Sequence, residues 1–366
     1  MVDSRRVAHD ETVDVVIPVY NAPAATRACI ESLYAHAGHR LGSVYVHDNA
    51  SGPETARMLD ALSLPRLRVH HAPVNTGFGD AVNQGVRQAC TDAVLVLNSD
   101  VEAADDFVAP LQRALVSDAE LAALTPSGNS FESYDLARYT KRGDCIVTHN
   151  LYAYAFLIRR AAFLEVGGFD PCFGLGYYED TDLSRKLITA GYWLGVHPHS
   201  RLQHAIHGSF EGVPKFRELM ANNRRLYFDR YPNARRRILL ISRCARAGDL
   251  TETARRALDA VAEAGAEILW MASESPAEIP AMSVRGERFI LLRAVRTLIR
   301  RRKKAFGRFT DLWVIDDAPA RVKVVAWVAR LLRLETRRFE AQRAHTPPRT
   351  VSTGAAVKLP SGDGAG

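Results

Sequence analysis

The sequence predicts an α/β protein: a Rossmann-like, mostly parallel sheet flanked by helices, followed by a smaller α/β module. Three observations carry that reading. Apolar runs of strand length alternate with helix-length amphipathic segments through the first hundred residues. One such run, Val94-Leu95-Val96-Leu97, stops abruptly on Asn98-Ser99-Asp100, as a strand buried on both faces does at its carboxyl end. A further series of α/β pattern starts near Ile238, beyond Pro232.

Taken in order, Val13–Val19 reads as a buried strand and Ala24–His36 as a helix with Cys29, Ile30 and Leu33 inward. Val44–His47 is a second strand. Ser51-Gly52-Pro53-Glu54 has the spacing of a capping box and opens a helix to about Leu62. Leu67–His71 is a third strand, Gly79–Ala89 a helix, and Val94–Leu97 the fourth strand. A helix near Asp105–Val116 and a strand at Leu121–Thr125 follow. Residues 127–149 have no periodicity and read as a long functional or mobile loop. Tyr152–Ile158 returns as a strand, Ala161–Val166 is a short helix and Gly167-Gly168-Phe169-Asp170 a turn. The helix from about Thr181 to Ala190 stops at Gly191, and Trp193–His197 and Leu202–His204 are short strands. A helix at Lys215–Tyr231 ends before Pro232, where a boundary divides a first domain, 12–231, from a basic α/β module, 232–344. In that module the strands are Ile238–Ser242, Glu267–Met271 and Leu312–Ile315. Its helices are Leu250–Ala264, Leu291–Arg302 and Arg321–Leu334. Residues 1–11 read as a polar tail, and 345–366, rich in Pro, Gly, Ser and Thr, as a disordered one.

Composition narrows the function. Hydrophobic residues make up 47% and charged residues 24% of 366, the balance of an ordinary globular protein. The five cysteines are scattered without Cys-x-x-Cys spacing, which fits a reducing compartment better than disulfides or zinc. Neither a signal peptide nor a membrane-spanning run is expected, so the expected location is cytoplasmic. The net charge of +7 is unevenly spread: 17 Lys/Arg face 24 Asp/Glu up to residue 210, against 31 and 17 beyond it. An acidic first part that holds a diphosphate needs a divalent cation, whereas the basic part suits an anionic surface or is a set of solvated helix faces. No nucleic-acid partner is expected.

Several fragments now combine. Val15-Val16-Ile17-Pro18-Val19-Tyr20-Asn21, Val46-His47-Asp48-Asn49-Ala50-Ser51, Asn75-Thr76-Gly77-Phe78 and Leu97-Asn98-Ser99-Asp100 are followed by Gly167-Gly168-Phe169-Asp170. Tyr177-Tyr178-Glu179-Asp180-Thr181-Asp182-Leu183, Arg185 and His204 complete the series. In that order and spacing, residues 12–210 resemble glycosyltransferase family 2, of GT-A fold, and most closely its rhamnosyltransferase-like branch. The resemblance implies a metal-dependent inverting transfer of a sugar from a nucleoside diphosphate, UDP or dTDP foremost, to a hydroxyl of a glycan or lipid-linked acceptor in bacterial polysaccharide synthesis.

The resemblance also implies residue roles. Pro18, Tyr20 and Asn21 open the donor loop, with Tyr20 near the nucleobase. Asp48 accepts from the pyrimidine ring and Asn49 continues that contact; the competing reading of Asp48 is a local turn with Ser51. Asn75 and Gly77 bring backbone close to the donor at a helix start. Asn98, Ser99 and Asp100 stand at the family's Asp-x-Asp, so Asp100 is a ligand for Mg²⁺ or Mn²⁺, while Asn98 replaces the first carboxylate and hydrogen-bonds ribose or phosphate. His204 is its partner on the metal. Asp180 is the general base and Glu179 its orienting or acceptor-binding neighbour. Asp182 and Arg185, three apart, read as a helical ion pair, and His197, His199 and His207 as solvated loop residues.

Two rivals remain open: a nucleotidyltransferase, against which the Pro18-Val19-Tyr20-Asn21 loop speaks, and an inactive sugar-nucleotide-binding scaffold, which Asn98 motivates. The segment Arg288–Lys304 is cationic and partly amphipathic, so either a packed helix or peripheral docking to an anionic membrane through Arg300–Lys304 is expected there. Asp316-Asp317 at a strand end is a lone hint of a second nucleotide site.

Overall fold

A computed structural model describes residues 12–204, 214–279, 282, 284–288, 291–299 and 308–341. The two expected tails, His207 and the Arg300–Lys304 cluster lie outside the described residues. The fold is GT-A: a large, mostly parallel sheet between helices, with a second, all-parallel sheet after it. The first sheet is built from β1 (Val13–Val19), β2 (Leu41–Asp48), β3 (Leu67–His71), β4 (Ala93–Leu97), β5 (Val101–Glu102), β6 (Leu121–Gly128), β7 (Lys141–Arg142), β8 (Cys145–Thr148), β9 (Ala155–Arg159) and β10 (Trp193–His204). Their order is β3-β2-β1-β4-β9-β6-β10-β8-β7, and β5 pairs with the end of β10. β9 runs against both β4 and β6, which splits the sheet into two parallel groups.

The apolar runs are explained by two-sided burial. Val15, Ile17, Leu95 and Leu97 face one core, with Cys29, Ile30 and Leu33 of α1 (Pro23–Ala37). Val16, Val94 and Val96 face the other, against α3 (Phe78–Gln88) and α6 (Glu179–Thr189). α3 rides close because Gly85 has no side chain: a Cβ there would lie 2.5 Å from Val16 Cγ1. Between these helices lie α2 (Pro53–Asp60), α4 (Val108–Ser117) and α5 (Arg160–Glu165); α7 (Pro214–Arg230) follows β10.

Several expectations need correction. The capping box does not form: Gly52 is the N-cap of α2, and the Ser51 hydroxyl instead accepts the Asn21 N–H, at 2.8 Å. Residues 127–149 are not a loop throughout, since β6 runs on to Gly128 and β7 and β8 form a hairpin whose Cys145 and Ile146 are buried. β10 is one strand with an irregularity between His197 and Arg201. His197 is buried there and accepts the Ser200 N–H, so it is no solvated loop residue. α6 starts at Glu179, two residues early.

Asp182 and Arg185 do not pair, because each finds a stronger long-range partner. Asp182 is fully buried and meets Arg230 at 2.7 Å and the Tyr231 hydroxyl at 3.0 Å. Arg230 also holds Asp170 at 2.8 Å, so one guanidinium ties α7 to α6 and to the preceding turn. Arg185 reaches the Glu263 and Ala262 carbonyls at the end of α8 (Glu252–Glu263), where the helix dipole favours a cation.

The second sheet has the order β13-β12-β11-β14-β15: β11 (Arg237–Ile241), β12 (Glu267–Ala272), β13 (Val284–Arg288), β14 (Asp311–Ile315) and β15 (Glu335–Phe339). α8 covers one face; α9 (Leu291–Ile299) and α10 (Val322–Leu331) cover the other. Arg230→Met leaves the buried Asp182 carboxylate only the Tyr231 hydroxyl and Lys186, 3.5 Å away, so it is expected to lower the unfolding free energy by up to ~3 kcal/mol in urea titrations. A loss below ~1 kcal/mol would show that the pair is not needed.

Candidate active site

The carboxyl ends of β1, β2 and β3 lie in register, with Val19 beside Asp48 and Asp48 beside His71. That register determines the fate of Asp48. It is buried, its Oδ1 accepts the Ser51 N–H at 2.9 Å, and its Oδ2 lies 2.6 Å from His71 Nδ1. His71 Nε2 reaches Asp60 at 3.1 Å. Hydrogen bonding to Asp48 raises the His71 pKa, and the Asp48 pKa is lowered because Ser51 and His71 outweigh its burial. Asn21, left-handed at φ 60°, accepts the Gly52 N–H and thereby laces the β1 loop to the β2 loop. Pro18 lies within β1, and Tyr20 is exposed at its mouth.

Asn49 is turned toward the chain itself. Its amide donates to Gly77 O at 3.1 Å and accepts from Thr76 N at 2.8 Å, while Asn75 accepts from Gly77 N. Gly77 needs its φ of 93° and its missing Cβ, which would lie 2.2 Å from Gly174 O. The loop that opens α3 thus packs on the stretch leading to Glu179.

Asn98, Ser99 and Asp100 are half-buried just beyond β4. Asp100 Oδ1 lies 3.4 Å from His204 Nε2, because β5 pairs His204 with Val101. That oxygen is buried and has no hydrogen bond. Asn129 clamps the His204 backbone through both its N–H and its C=O, and the Tyr154 ring stacks on the imidazole at 5.2 Å. A buried, unbonded carboxylate oxygen beside an imidazole nitrogen fits a divalent cation. Among the described residues no third His, Cys, Asp or Glu joins them. Any further ligands would come from substrate or water.

Glu179 and Asp180 open α6 after two left-handed tyrosines, Tyr177 and Tyr178. Burial raises both carboxyl pKa values, and Asp180 adds to the effect on Glu179, which moves from 4.5 to about 8. Their surroundings differ. Asp180 Oδ1 accepts from the Thr181 N–H at 2.7 Å and the Thr181 hydroxyl at 3.1 Å, and the Ala153 N–H also points to its carboxyl. Glu179 Oε2 is buried without a partner. Donors stabilise an anion, so of the two raised carboxyls Asp180 is the better placed to carry charge and Glu179 to keep a proton. Residues 152–154 tie both acidic centres together: Ala153 N faces Asp180, Tyr154 O accepts from Asn98 N at 2.8 Å, and the Tyr154 ring covers His204.

Sequence reading missed His71, Asn129 and Ala153. The first was visible only as the end of a strand, and the other two act through pairing that no local pattern encodes. A cavity of about 760 Å³ between β8 and α8, lined by Arg142, His149, Trp193, Arg255 and Asp259, contains none of these site residues. At the second sheet's reversal of strand order, between β11 and β14, Asp317 accepts the N–H groups of Arg243 and Cys244 at 2.8 and 2.6 Å. Those donors are therefore filled by the chain's own carboxylate.

Residues 14–181 match the family model of Glycosyl transferase family 2. The match runs from β1 through Asp180 and supports a glycosyltransferase. An N-acetylglucosaminyltransferase of Sinorhizobium fredii is 35% identical over 117 residues, 31% of this chain and 28% of that protein. The chain thus spans under a third of that curated relative. A crystal structure of GalNAc-T7 with UDP, GalNAc and Mn²⁺ superposes with a TM-score of 0.51 at 17% identity, over 61% of this chain and 49% of the other. A mannosyltransferase from Pyrobaculum calidifontis in complex with GDP-Man and Mn²⁺ gives 0.47 at 19% identity, over 60% and 63%.

The proton on Glu179 has a measurable consequence. Below about 4.5 the carboxyl is protonated in folded and unfolded chains alike. As pH rises toward about 8, the unfolded chain has released a proton that the folded chain keeps, so stability falls. Glu179→Gln removes that loss. Its advantage over wild type in urea midpoint is expected to grow from about pH 5 to about pH 8.5. A constant difference across that window would place the proton elsewhere.

Proposed function

We propose that the protein is a metal-dependent, inverting glycosyltransferase, moving a sugar from a nucleoside diphosphate to a hydroxyl of a glycan or lipid-linked acceptor in bacterial polysaccharide synthesis. The observation that carries this reading is the Glu179–Asp180 pair, joined through residues 152–154 to Asp100 and His204 at the carboxyl edge of the sheet. Ligands of open α/β sheets bind along that edge.

Asp180 accepts the proton of the acceptor hydroxyl as the new bond to the anomeric carbon forms, and Thr181 and Ala153 aim its carboxylate. Glu179, kept neutral, donates a hydrogen bond to the acceptor and adds no repulsion beside the base. One base acting in one displacement, opposite the departing diphosphate, inverts the anomeric centre. Asp100 and His204 would hold Mg²⁺ or Mn²⁺, which supplies the positive charge a leaving diphosphate requires. The clamped loops at Asn21, Asp48, Asn49, Asn75 and Gly77 line the donor side, with Asn98 and Ser99 near the ribose and phosphates. UDP and dTDP are the favoured nucleotides. The N-acetylglucosaminyl relative and the resemblance to the rhamnosyltransferase-like branch put both sugars in the first panel to test.

Incubation with UDP-, dTDP- and GDP-sugars, with Mn²⁺ or Mg²⁺, is expected to release nucleoside diphosphate through slow donor hydrolysis. Asp180→Asn should reduce acceptor-dependent turnover by ~10²–10⁴-fold with donor affinity nearly unchanged. Asp100→Ala and excess chelator should remove both activity and tight donor binding. Release of pyrophosphate from a sugar phosphate and a nucleoside triphosphate would instead identify a nucleotidyltransferase. Donor binding with no turnover on any acceptor would leave a scaffold.

A further inference from the structure

The outer face of the second sheet carries apolar side chains that the described chain does not cover. α9 and α10 lie side by side there, turning Ala294, Val325, Ala326 and Ala329 onto Leu239, Ile241, Leu312 and Val314. α8 and the Arg185 contact to the first sheet lie on the opposite face. The solvent sides of α9 and α10 therefore form the side of the molecule remote from the candidate active site.

Those solvent sides are not polar. On α10, Val324, Trp327 and Leu331 are 58%, 61% and 63% exposed, at the spacing of one helical stripe. On α9, Leu292 is 82% and Ile299 59% exposed. Single exposed apolar residues are ordinary, but a stripe across two adjacent helices marks an interaction surface.

The charge around the stripe has one sign. Arg321, Lys323, Arg330 and Arg333 are exposed beside it, as is Arg296 on α9. Residues 289–310 contain eight Lys or Arg and no Asp or Glu; residues 318–334 contain four and none. Part of the first run, Arg300–Lys304, enters the argument as sequence alone.

We propose that the α9–α10 face docks the protein on an anionic phospholipid surface. Trp327, Leu331, Val324 and Leu292 enter the headgroup boundary, where an indole is favoured, and the flanking Arg and Lys reach lipid phosphates while their stems lie on apolar surface. Apolar insertion combined with segments whose charges are all positive matches a negatively charged bilayer surface. No described helix is long and apolar enough to cross a membrane, so the docking is peripheral. The face is distinct from the donor site, so docking and sugar transfer stand or fall separately.

The test is co-sedimentation of the full chain with vesicles of phosphatidylglycerol and phosphatidylcholine, against phosphatidylcholine alone, at low and high salt. Trp270 and Trp313 are buried and Trp193 is half-buried under Arg142, away from this face, so Trp327 is expected to dominate the change in tryptophan emission. Binding to anionic vesicles, reversal by salt and a blue shift of the emission are expected. Arg321→Gln, Lys323→Gln and Arg330→Gln should each weaken binding roughly fivefold. Trp327→Ser with Leu331→Ser should abolish the blue shift and reduce binding, with donor hydrolysis and circular dichroism unchanged. The proposal is overturned if anionic vesicles do not bind the protein, or if both sets of variants bind like wild type. It is also overturned if gel filtration shows a dimer that the serine variant converts to monomer, since the face is then covered by a second copy.

Discussion

Two adjacent carboxyl groups at the buried start of one helix oppose ionisation, through burial and through each other, and much of the site follows from that constraint. The chain meets it by unequal solvation. Asp180 receives the Thr181 and Ala153 donors, whereas Glu179 has only its own backbone N–H and its Oε2 has no partner. Burial alone would raise both pKa values and leave two weak acids. The hydroxyl and N–H of Thr181 and the backbone of Ala153 offset part of that rise at Asp180, which favours charge there over Glu179.

That arrangement needs α6 held still, and the holding interactions come from far along the chain. Arg230 on α7 closes on Asp182, one turn inside the helix, and Arg185 anchors the same helix to the carbonyl end of α8. The second sheet thereby supports the candidate active helix without contributing one of the candidate residues. Segment 152–154 plays the corresponding part on the other side, bringing a backbone donor to Asp180 and an aromatic cover to His204.

The parallel part of the fold was legible because β1, β2 and β4 are buried on both faces and therefore contain short apolar runs, Val15-Val16-Ile17, Val44-Tyr45-Val46 and Val94–Leu97. Of the strands that escaped notice, β8 has a short apolar run, Cys145-Ile146-Val147, inside a polar stretch, and the others give no such signal. β5 and β7 have two residues each, and β15, Glu335–Phe339, is an exposed edge rich in arginine. Asp100, His204, Glu179 and Asp180 could be singled out because acidic residues and histidine at strand and helix ends are conspicuous. Their partners could not, since Ala153 acts through its backbone and Asn129 by holding the His204 backbone; His71, the partner of Asp48, is set by the register of parallel strands. Local patterns also misled where a distant group competed: Ser51 caps no helix because Asn21 takes its hydroxyl, and Arg185 leaves Asp182 for the end of α8.

The central claim is that Glu179 holds the shared proton and Asp180 the charge. Infrared difference spectroscopy across a pH titration measures this directly through the carbonyl stretch of a protonated carboxyl group. The account predicts such a band at neutral pH, titrating near pH 8, present in Asp180→Asn and absent from Glu179→Gln. A band that survives in Glu179→Gln and vanishes in Asp180→Asn would reverse the assignment and remove the base from Asp180.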